Sequence, residues 1–560
     1  MDEVLDKRSE HFLRNGLLIF VASVALTLPI YLWGIPAGND LPHHYRFAHQ
    51  VDSALQAGEI YPGWSLAANR GLGDAGIRFY PPLSYYVLVI FKTISGSWYE
   101  GSVFAFGLWF LIGSLGIYFL CREWLDGASA TLAAIAFAIL PYHVNQIYNA
   151  FLYAEFAGIA ILPFCFLFVT RLTERTVRLI NIIGLAISLA ALVLTHLPTA
   201  VMGFIVLTVY AGLILWKAGA PKSFIALVGA CGLGALASAF FWIKIVVEID
   251  FLKHATDEFI RSSYDFRVNF LGAWFYIDPE QYASRSLWFA DTMFGLTLAL
   301  IATAWIVLRL RPGERRYVSS GVIGALFAGI FLSTVASLPI WEKVGVLQKI
   351  QFPFRFLGVI SLCAAVYFGS AWPSFSALLR SPRRPYAITA AGIFLIVAAF
   401  SIAQVIRPAS YTPPDRFETI LTEIEQRPSC ECWWPVWAKS DPLIARSEAF
   451  AKPASVTTGK TRHSAPYVAD ETGLTVYVLY YPFWAAKIDG LPAKVEADET
   501  GFVHIPWSEP TDKVELAFSE PTYVRTAQMI SVLTWIVMGA LAAAIMLFSF
   551  RPSLENQWKI

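Results

Sequence analysis

Twelve windows of about 18–20 apolar residues recur along this chain, each long enough to cross the hydrocarbon core of a bilayer as a helix. They lie near 15–33, 100–120, 128–143, 155–170, 177–195, 200–216, 223–247, 291–310, 318–337, 355–378, 386–405 and 526–550. This pattern predicts an all-α polytopic membrane protein. Composition agrees: of 560 residues, 56% belong to the apolar set and 15% are charged, with a mean hydropathy of +0.55. A soluble enzyme, a disordered chain and a nucleic-acid binder are excluded. The first window follows Lys7, Arg8 and Arg14 and lacks a small-residue cleavage site, so it reads as a retained signal anchor.

A net charge of +1 names no partner, but the placement of the charges orients the chain. Leu83–Ser95 is apolar yet short. If it is re-entrant or interfacial, the segments before 15 and around 121–127, 171–178, 217–222, 309–316, 379–385 and 551–560 share the cytoplasmic side and hold eighteen Lys and Arg. The opposite short loops 144–154 and 196–199 hold none. Both termini are then expected in the cytoplasm of a bacterial inner membrane, and the long polar stretches 34–99, 248–290, 338–354 and 406–525 outside it. The domains expected are 1–405, a transmembrane unit whose first outer loop is 34–99; 406–525, a β-rich unit; and 526–560, a last helix with a short tail.

Within 406–525 the pattern turns strand-like. Leu474–Tyr481, Trp484–Ile488 before the turn Asp489-Gly490, Ala493–Ala497, Phe502–Pro506 and Lys513–Phe518 predict a small β-sandwich, with Tyr480, Tyr481, Phe483 and Trp484 as packing aromatics. Cys121, Cys165, Cys231 and Cys363 lie in or beside apolar windows and read as small hydrophobes. Cys430 and Cys432 can pair outside the cytoplasm, though two residues is a poor spacing for a relaxed disulfide. No phosphate-binding loop, dinucleotide fingerprint or HExxH is present.

The first outer loop carries the chemistry. After the first window comes Asp40-Leu-Pro-His43-His44-Tyr-Arg-Phe47, then Val51, Ala54 and Leu55, a spacing that predicts an amphipathic helix lying in the membrane surface. Asp40 and His44, at i and i+4, share a face. They could be a base with its orienting partner, two metal ligands, or a helix cap and an interfacial histidine. Glu155, His196, Arg355 and Arg78 fall at the same depth as Asp40, and ions there persist mostly in a cavity. Lys244 and Glu248 are expected to pair at the rim. A carboxylate base with guanidinium groups in one leaflet suits a lipid-linked phosphate ester, because arginine binds phosphate bidentately and stays charged.

The order of these motifs also carries a resemblance. Asp40 with His44, Gly58-Glu-Ile-Tyr-Pro-x-Trp64, Asn69-x-Gly71-x-Gly73, Phe79-Tyr80-Pro-Pro-Leu-x-Tyr-Tyr86, Tyr153-Ala-Glu155, Thr195-His196-Leu-Pro-Thr199, Gln351-Phe-Pro-x-Arg355-Phe356, Tyr481-Pro-x-Trp484 and Asp489-Gly490 together resemble the bacterial membrane proteins termed 6-pyruvoyl-tetrahydropterin-synthase-related. That family in turn resembles the GT-C superfamily of membrane glycosyltransferases, which use a polyprenyl-phosphate sugar and an acidic residue in the first outer loop. The resemblance implies a GT-C-like fold, catalysis at Asp40 and a second acidic position at Glu155. The chain lacks counterparts to the zinc-binding histidines of a pterin synthase.

The function expected is inverting transfer of a sugar from a polyprenyl phosphate to an extracytoplasmic glycan, lipid or protein. Asp40 is the base, His44 its orienter and Glu155 the second acid. Arg355 and Arg78 hold the phosphate, and His196, His43, Asn149 and Tyr80 line the substrate site. Asp40 and Glu155 are the candidate ligands for an occasional Mg²⁺ or Mn²⁺. The alternative is a non-catalytic protein that binds a lipid-linked glycan. Acceptor recognition is expected in 248–290 and 406–525, where Tyr264, Arg267 and Asp278 are polar candidates.

Overall fold

A computed structural model describes residues 2–174, 177–219, 221–256, 264–310, 318–406, 411–439, 452–507, 509, 511 and 513–549. The basic run 311–316 and the tail 551–560 lie outside them. Among the described residues, eight helices are long and apolar enough to cross a membrane, from Phe12–Trp33 to Thr522–Leu547, or up to ten if each of two bent pairs is one span. Two of the expected windows appear as shorter helices, Leu179–Thr195 and Ser320–Ser333. Leu83–Ser95 is a 13-residue helix, about 20 Å long at 1.5 Å per residue.

The bends follow from local sequence. Gly127–Ile139 and Pro141–Tyr148 meet at 43°, where Leu140 is extended and Pro141 opens the second helix. The break turns Tyr142, Asn145 and Gln146 toward the cavity described below. Lys222–Ala237 and Ala239–Phe251 meet at 76°, beside Ser238, whose hydroxyl bonds back to the Gly234 carbonyl.

The helix expected after Asp40 is present as Leu41–Gln56. Its apolar face is covered by protein rather than laid on lipid: Phe47 packs on Tyr80 and Tyr85, and Tyr45 on Phe151 and Phe417. Arg46, on the same helix, donates to the carbonyls of Ile424 and Arg427. Those carbonyls end the helix Pro414–Gln426.

The β-rich unit is present ahead of the last helix. Its strands are β3 (Lys452–Thr458), β4 (Thr461–Asp470), β5 (Gly473–Leu479), β6 (Trp484–Ile488), β7 (Leu491–Ala493), β8 (Glu496–Ala497), β9 (Phe502–Ile505) and β10 (Val514–Phe518). They form one continuous sheet in the order β7-β6-β10-β3-β4-β5-β9-β8, all antiparallel except β10 with β3. The short strands β1 (Ile35–Pro36) and β2 (Tyr411–Thr412) pair separately and tie the loop 34–99 to the start of this region. Asp489 (φ 47°) and Gly490 (φ 85°) make the two-residue β6–β7 turn that their sequence predicts. One face of the sheet is covered by Trp64, Leu66, Leu72 and Phe79 of the loop 34–99, with Leu252 and Trp434. Tyr481 and Trp484 belong to the same core.

A buried ionic knot fixes the sheet to the helices. Arg78, with its side chain 0% exposed, donates to both Glu248 oxygens (2.5 and 2.7 Å) and both Glu520 oxygens (2.6 and 2.7 Å). Tyr481 and Tyr523 also donate to Glu248, at 2.8 and 2.7 Å. Removing one partner of a buried pair leaves the other charge uncompensated. Arg78→Ala is expected to cost about 3–5 kcal/mol, read as a lower midpoint of thermal unfolding in detergent. Arg78→Lys is expected to recover only part of it, because an ammonium cannot reproduce the forked contacts.

Candidate functional site

A cavity of about 1000 Å³ opens at one end of the helix bundle. Its wall is built from helix ends and loops: Asp40, His43 and His44; Tyr80; Tyr142, Gln146 and Asn149; His196; His254; Tyr264; residues 285–290 and Met293; Lys349, Gln351, Phe352, Phe354 and Arg355; and Cys430, Cys432 and Trp433.

Asp40 stands at the N-cap position of Leu41–Gln56, yet its side chain makes no capping bond. The loop before it is pressed against the segment preceding Tyr153: a Cβ on Gly38 would lie 2.5 Å from the Phe151 Cβ and 2.6 Å from the Ala150 carbonyl carbon. The Asp40 amide donates to the Ala150 carbonyl at 3.4 Å. Its carboxylate has no hydrogen-bond or ion-pair partner among the described residues and is the sole carboxylate on the cavity wall among them. Burial raises the Asp40 pKa, and the nearby Arg355 guanidinium partly opposes that rise.

Arg355 is held from three directions. Its Nε lies 2.9 Å from Glu155 Oε2, its Nη1 donates to the Ile350 carbonyl at 2.7 Å, and its guanidinium sits 4.7 Å from the centre of the Phe352 ring. Glu155 is 1% exposed and also accepts from Tyr142 at 2.6 Å. It therefore stands behind the wall as the residue that positions Arg355, and not on the wall as a second catalytic acid. Glu155 is already engaged by Arg355 and Tyr142, so Asp40 and Glu155 are not both free to ligate a cation. Among the described residues, no three His, Cys, Asp or Glu side chains converge as ligands.

The other expected residues divide. His44 Nδ1 bonds to the Tyr85 hydroxyl at 2.7 Å, and no bond joins its ring to Asp40. Burial lowers its pKa to about 3, so it is a neutral donor or acceptor of the wall and not the orienter of Asp40. His43 is half-buried, with its pKa lowered by burial and then by Arg46. His196 caps Leu197–Ala218 through Thr199 (2.7 Å to the hydroxyl), Asn149 donates to Gln404 at 2.8 Å, and Tyr80 meets His44 edge-on. All of these reach the cavity.

Arg78 does not. Its guanidinium is consumed by Glu248 and Glu520, so the phosphate role given to it by depth alone falls away. Glu248 is likewise taken from Lys244, whose buried Nζ instead sits 4.0 Å above the Tyr61 ring with no hydrogen-bond partner among the described residues. Arg267 pairs with Asp265 and Glu342, and Asp278 caps Pro279–Ser284; Tyr264 alone of that trio lines the cavity. Cys430 and Cys432 form a disulfide on the wall.

Residues not singled out by motif also reach it. His254 stacks on Trp433, with ring centres 4.9 Å apart. Lys349 and Arg285 add fixed positive charge. Ser286 (φ 53°) and Gln351 (φ 67°) are non-glycine residues held in the left-handed region on the same wall, a conformation that costs about 1–3 kcal/mol each. Such isolated loop residues have no periodicity or spacing that marks them in sequence.

Fold and site together define a multi-pass membrane protein with a cavity lined by both polar and apolar side chains, and a β-rich unit ahead of its last helix. The chain belongs to the membrane-protein family described as 6-pyruvoyl-tetrahydropterin synthase related domain, which matches residues 77–407. An uncharacterized protein of Lactococcus lactis subsp. cremoris (strain MG1363) is 25% identical over 244 residues, 41% of this chain and 39% of that one. The chain thus matches well under half the length of that relative.

Among solved structures, the oligosaccharyltransferase of Archaeoglobus fulgidus is similar at TM-score 0.42 and 13% identity, covering 80% of this chain and 62% of that one. The mycobacterial arabinofuranosyltransferase AftD is similar at 0.41 and 15%, covering 70% and 27%. ArnT of Cupriavidus metallidurans, bound to undecaprenyl phosphate, is similar at 0.39 and 16%, covering 70% and 78%. At these scores the likeness carries no argument about the chemistry of this chain.

Because folding raises the Asp40 pKa, its contribution to stability is present below its ordinary value of 3.8 and lost as pH rises through the folded value. Thermal unfolding of Asp40→Asn across pH 4–8 is expected to lack this loss. Arg355→Gln, which removes the charge that lowers the pKa, is expected to move the loss to higher pH.

Proposed function

We propose that this protein transfers a sugar from a polyprenyl-phosphate donor to a hydroxyl acceptor on the extracytoplasmic face. The observation that carries this reading is the pairing, on one cavity wall, of an uncommitted carboxylate with a guanidinium already fixed by a buried acid. That combination supplies a base beside a place for a departing anion. The apolar stretch Leu287-Trp288-Phe289 and Met293 offers the wall where a lipid tail would lie.

In the proposed step Asp40 accepts the proton of the acceptor hydroxyl as its oxygen attacks the anomeric carbon. The bond from that carbon to the phosphate oxygen breaks, and its electron pair leaves with polyprenyl phosphate. Attack opposite the leaving group inverts the anomeric centre. Arg355 balances the phosphate charge, and Glu155 with Tyr142 keeps Arg355 in place. His43, His196, Asn149 and Tyr80 shape the remaining wall. The cytoplasmic basic loops read in the sequence support the extracytoplasmic placement of this site.

Purified protein in nanodiscs, supplied with polyprenyl-phosphate sugars and a panel of glycan, lipid and peptide acceptors, tests the reading. Asp40→Asn is expected to lower transfer by about 10²–10⁴-fold while leaving polyprenyl-phosphate binding within about twofold. Full activity in a folded Asp40→Asn protein would remove the base assignment. Lipid-phosphate binding without turnover in either protein would favour a carrier of lipid-linked glycan.

A further inference from the structure

We infer that Lys349 is a further catalytic residue of this site, matched to the charge that the departing lipid phosphate gains as the sugar leaves. The inference rests on the proposed transfer reaction and identifies the residue that distinguishes its donor from its product.

The charge on the leaving group changes during the step. A sugar joined to polyprenyl phosphate is a phosphodiester with one negative charge. Once the anomeric carbon-to-oxygen bond breaks, the electron pair stays on the phosphate, which becomes a monoester with a second pKa near 6 and so approaches two negative charges at neutral pH. Only interactions stronger in the transition state than in the ground state speed the step.

The cavity separates the cations accordingly. Arg355 is already matched, by Glu155 at 2.9 Å and the Ile350 carbonyl at 2.7 Å, and so suits the constant charge of the donor. Lys349 lies on the cavity wall, exposed at the end of the short helix Gly345–Gln348, and its ammonium has no hydrogen bond or ion pair among the described residues. The two are tied through backbone: Lys349 directly precedes Ile350, whose carbonyl holds Arg355, and Gln351 after it is fixed in the left-handed region (φ 67°). A strained turn, buttressed by the Arg355 side chain, that places an uncommitted lysine on the cavity wall is the arrangement expected of a residue that meets charge developing there. On the other side, His254 is close enough for the Lys349 charge to depress its pKa below that imposed by burial, which keeps the imidazole neutral and leaves the ammonium without a competing cation there.

The test uses the full chain in nanodiscs with two lipid probes, undecaprenyl phosphate and its methyl diester. The wild type is expected to bind the monoester about tenfold or more tightly than the diester at pH 8, and to lose that preference at pH 5, where both carry one charge. Lys349→Gln is expected to abolish the preference at pH 8 with diester binding unchanged, and Lys349→Arg to restore it. In transfer assays Lys349→Gln lowers kcat with KM unchanged. A preference that survives Lys349→Gln, or a variant that weakens both lipids equally, overturns the assignment. Failure of the transfer reading shows separately, as absent turnover in a wild type that still prefers the monoester.

Discussion

The guanidinium of Arg78 is the constraint on which the architecture rests. Fully buried between Glu248 and Glu520, it joins the loop 34–99, the end of a bent apolar helix pair and the strand-to-helix junction before the last span. Burying three ions together is costly, and only mutual pairing with the hydroxyls of Tyr481 and Tyr523 makes the arrangement stable. The sheet is thereby held against the loop 34–99, whose Trp64, Leu66 and Phe79 complete its core. The segment Ser429–Trp434 runs on from this contact. Asn69 accepts from the Ser429 amide, Lys253 donates to the Trp434 carbonyl, and Trp433 is placed on the cavity wall.

Within that frame, the cavity separates two kinds of carboxylate by environment. Glu155 is engaged by the Arg355 ion pair and the Tyr142 hydroxyl and works through Arg355. Asp40, pinned by the close approach of Gly38 to Phe151, keeps its oxygens free in a partly dehydrated setting that holds the proton more tightly than water does. A base poised in this way can take a proton from a substrate hydroxyl near neutral pH more readily than an ordinary carboxylate. His44 contributes shape and a hydrogen bond to Tyr85 rather than charge.

Much of this was legible in the sequence because membrane burial writes itself as length. Apolar windows, the helix after Asp40, four of the strands from 474 onward and the Asp489-Gly490 turn follow from periodicity and turn chemistry, while the run Ala493–Ala497, expected as one strand, is split between β7 and β8. β3 and β4 were not read, since prolines and small residues break their alternation; Pro453 and Pro466 face each other across the pair. Depth placed Arg78, Glu155, Arg355 and Asp40 in one layer, but depth does not say who pairs with whom. Glu520, which takes Arg78 out of the site, lies 442 residues away in the chain. His254, Arg285 and Lys349 reach the cavity from irregular loops whose course only tertiary packing determines.

The central claim is that Asp40 and Arg355 form the reaction centre for a lipid-linked phosphate. The most direct measurement is an experimental structure of the protein with bound polyprenyl phosphate. The account predicts the phosphate within about 3 Å of the Arg355 guanidinium, with the Asp40 carboxylate facing the open cavity beside it and the tail along Leu287–Phe289. A phosphate bound away from Arg355, with Asp40 turned from it, would contradict the account.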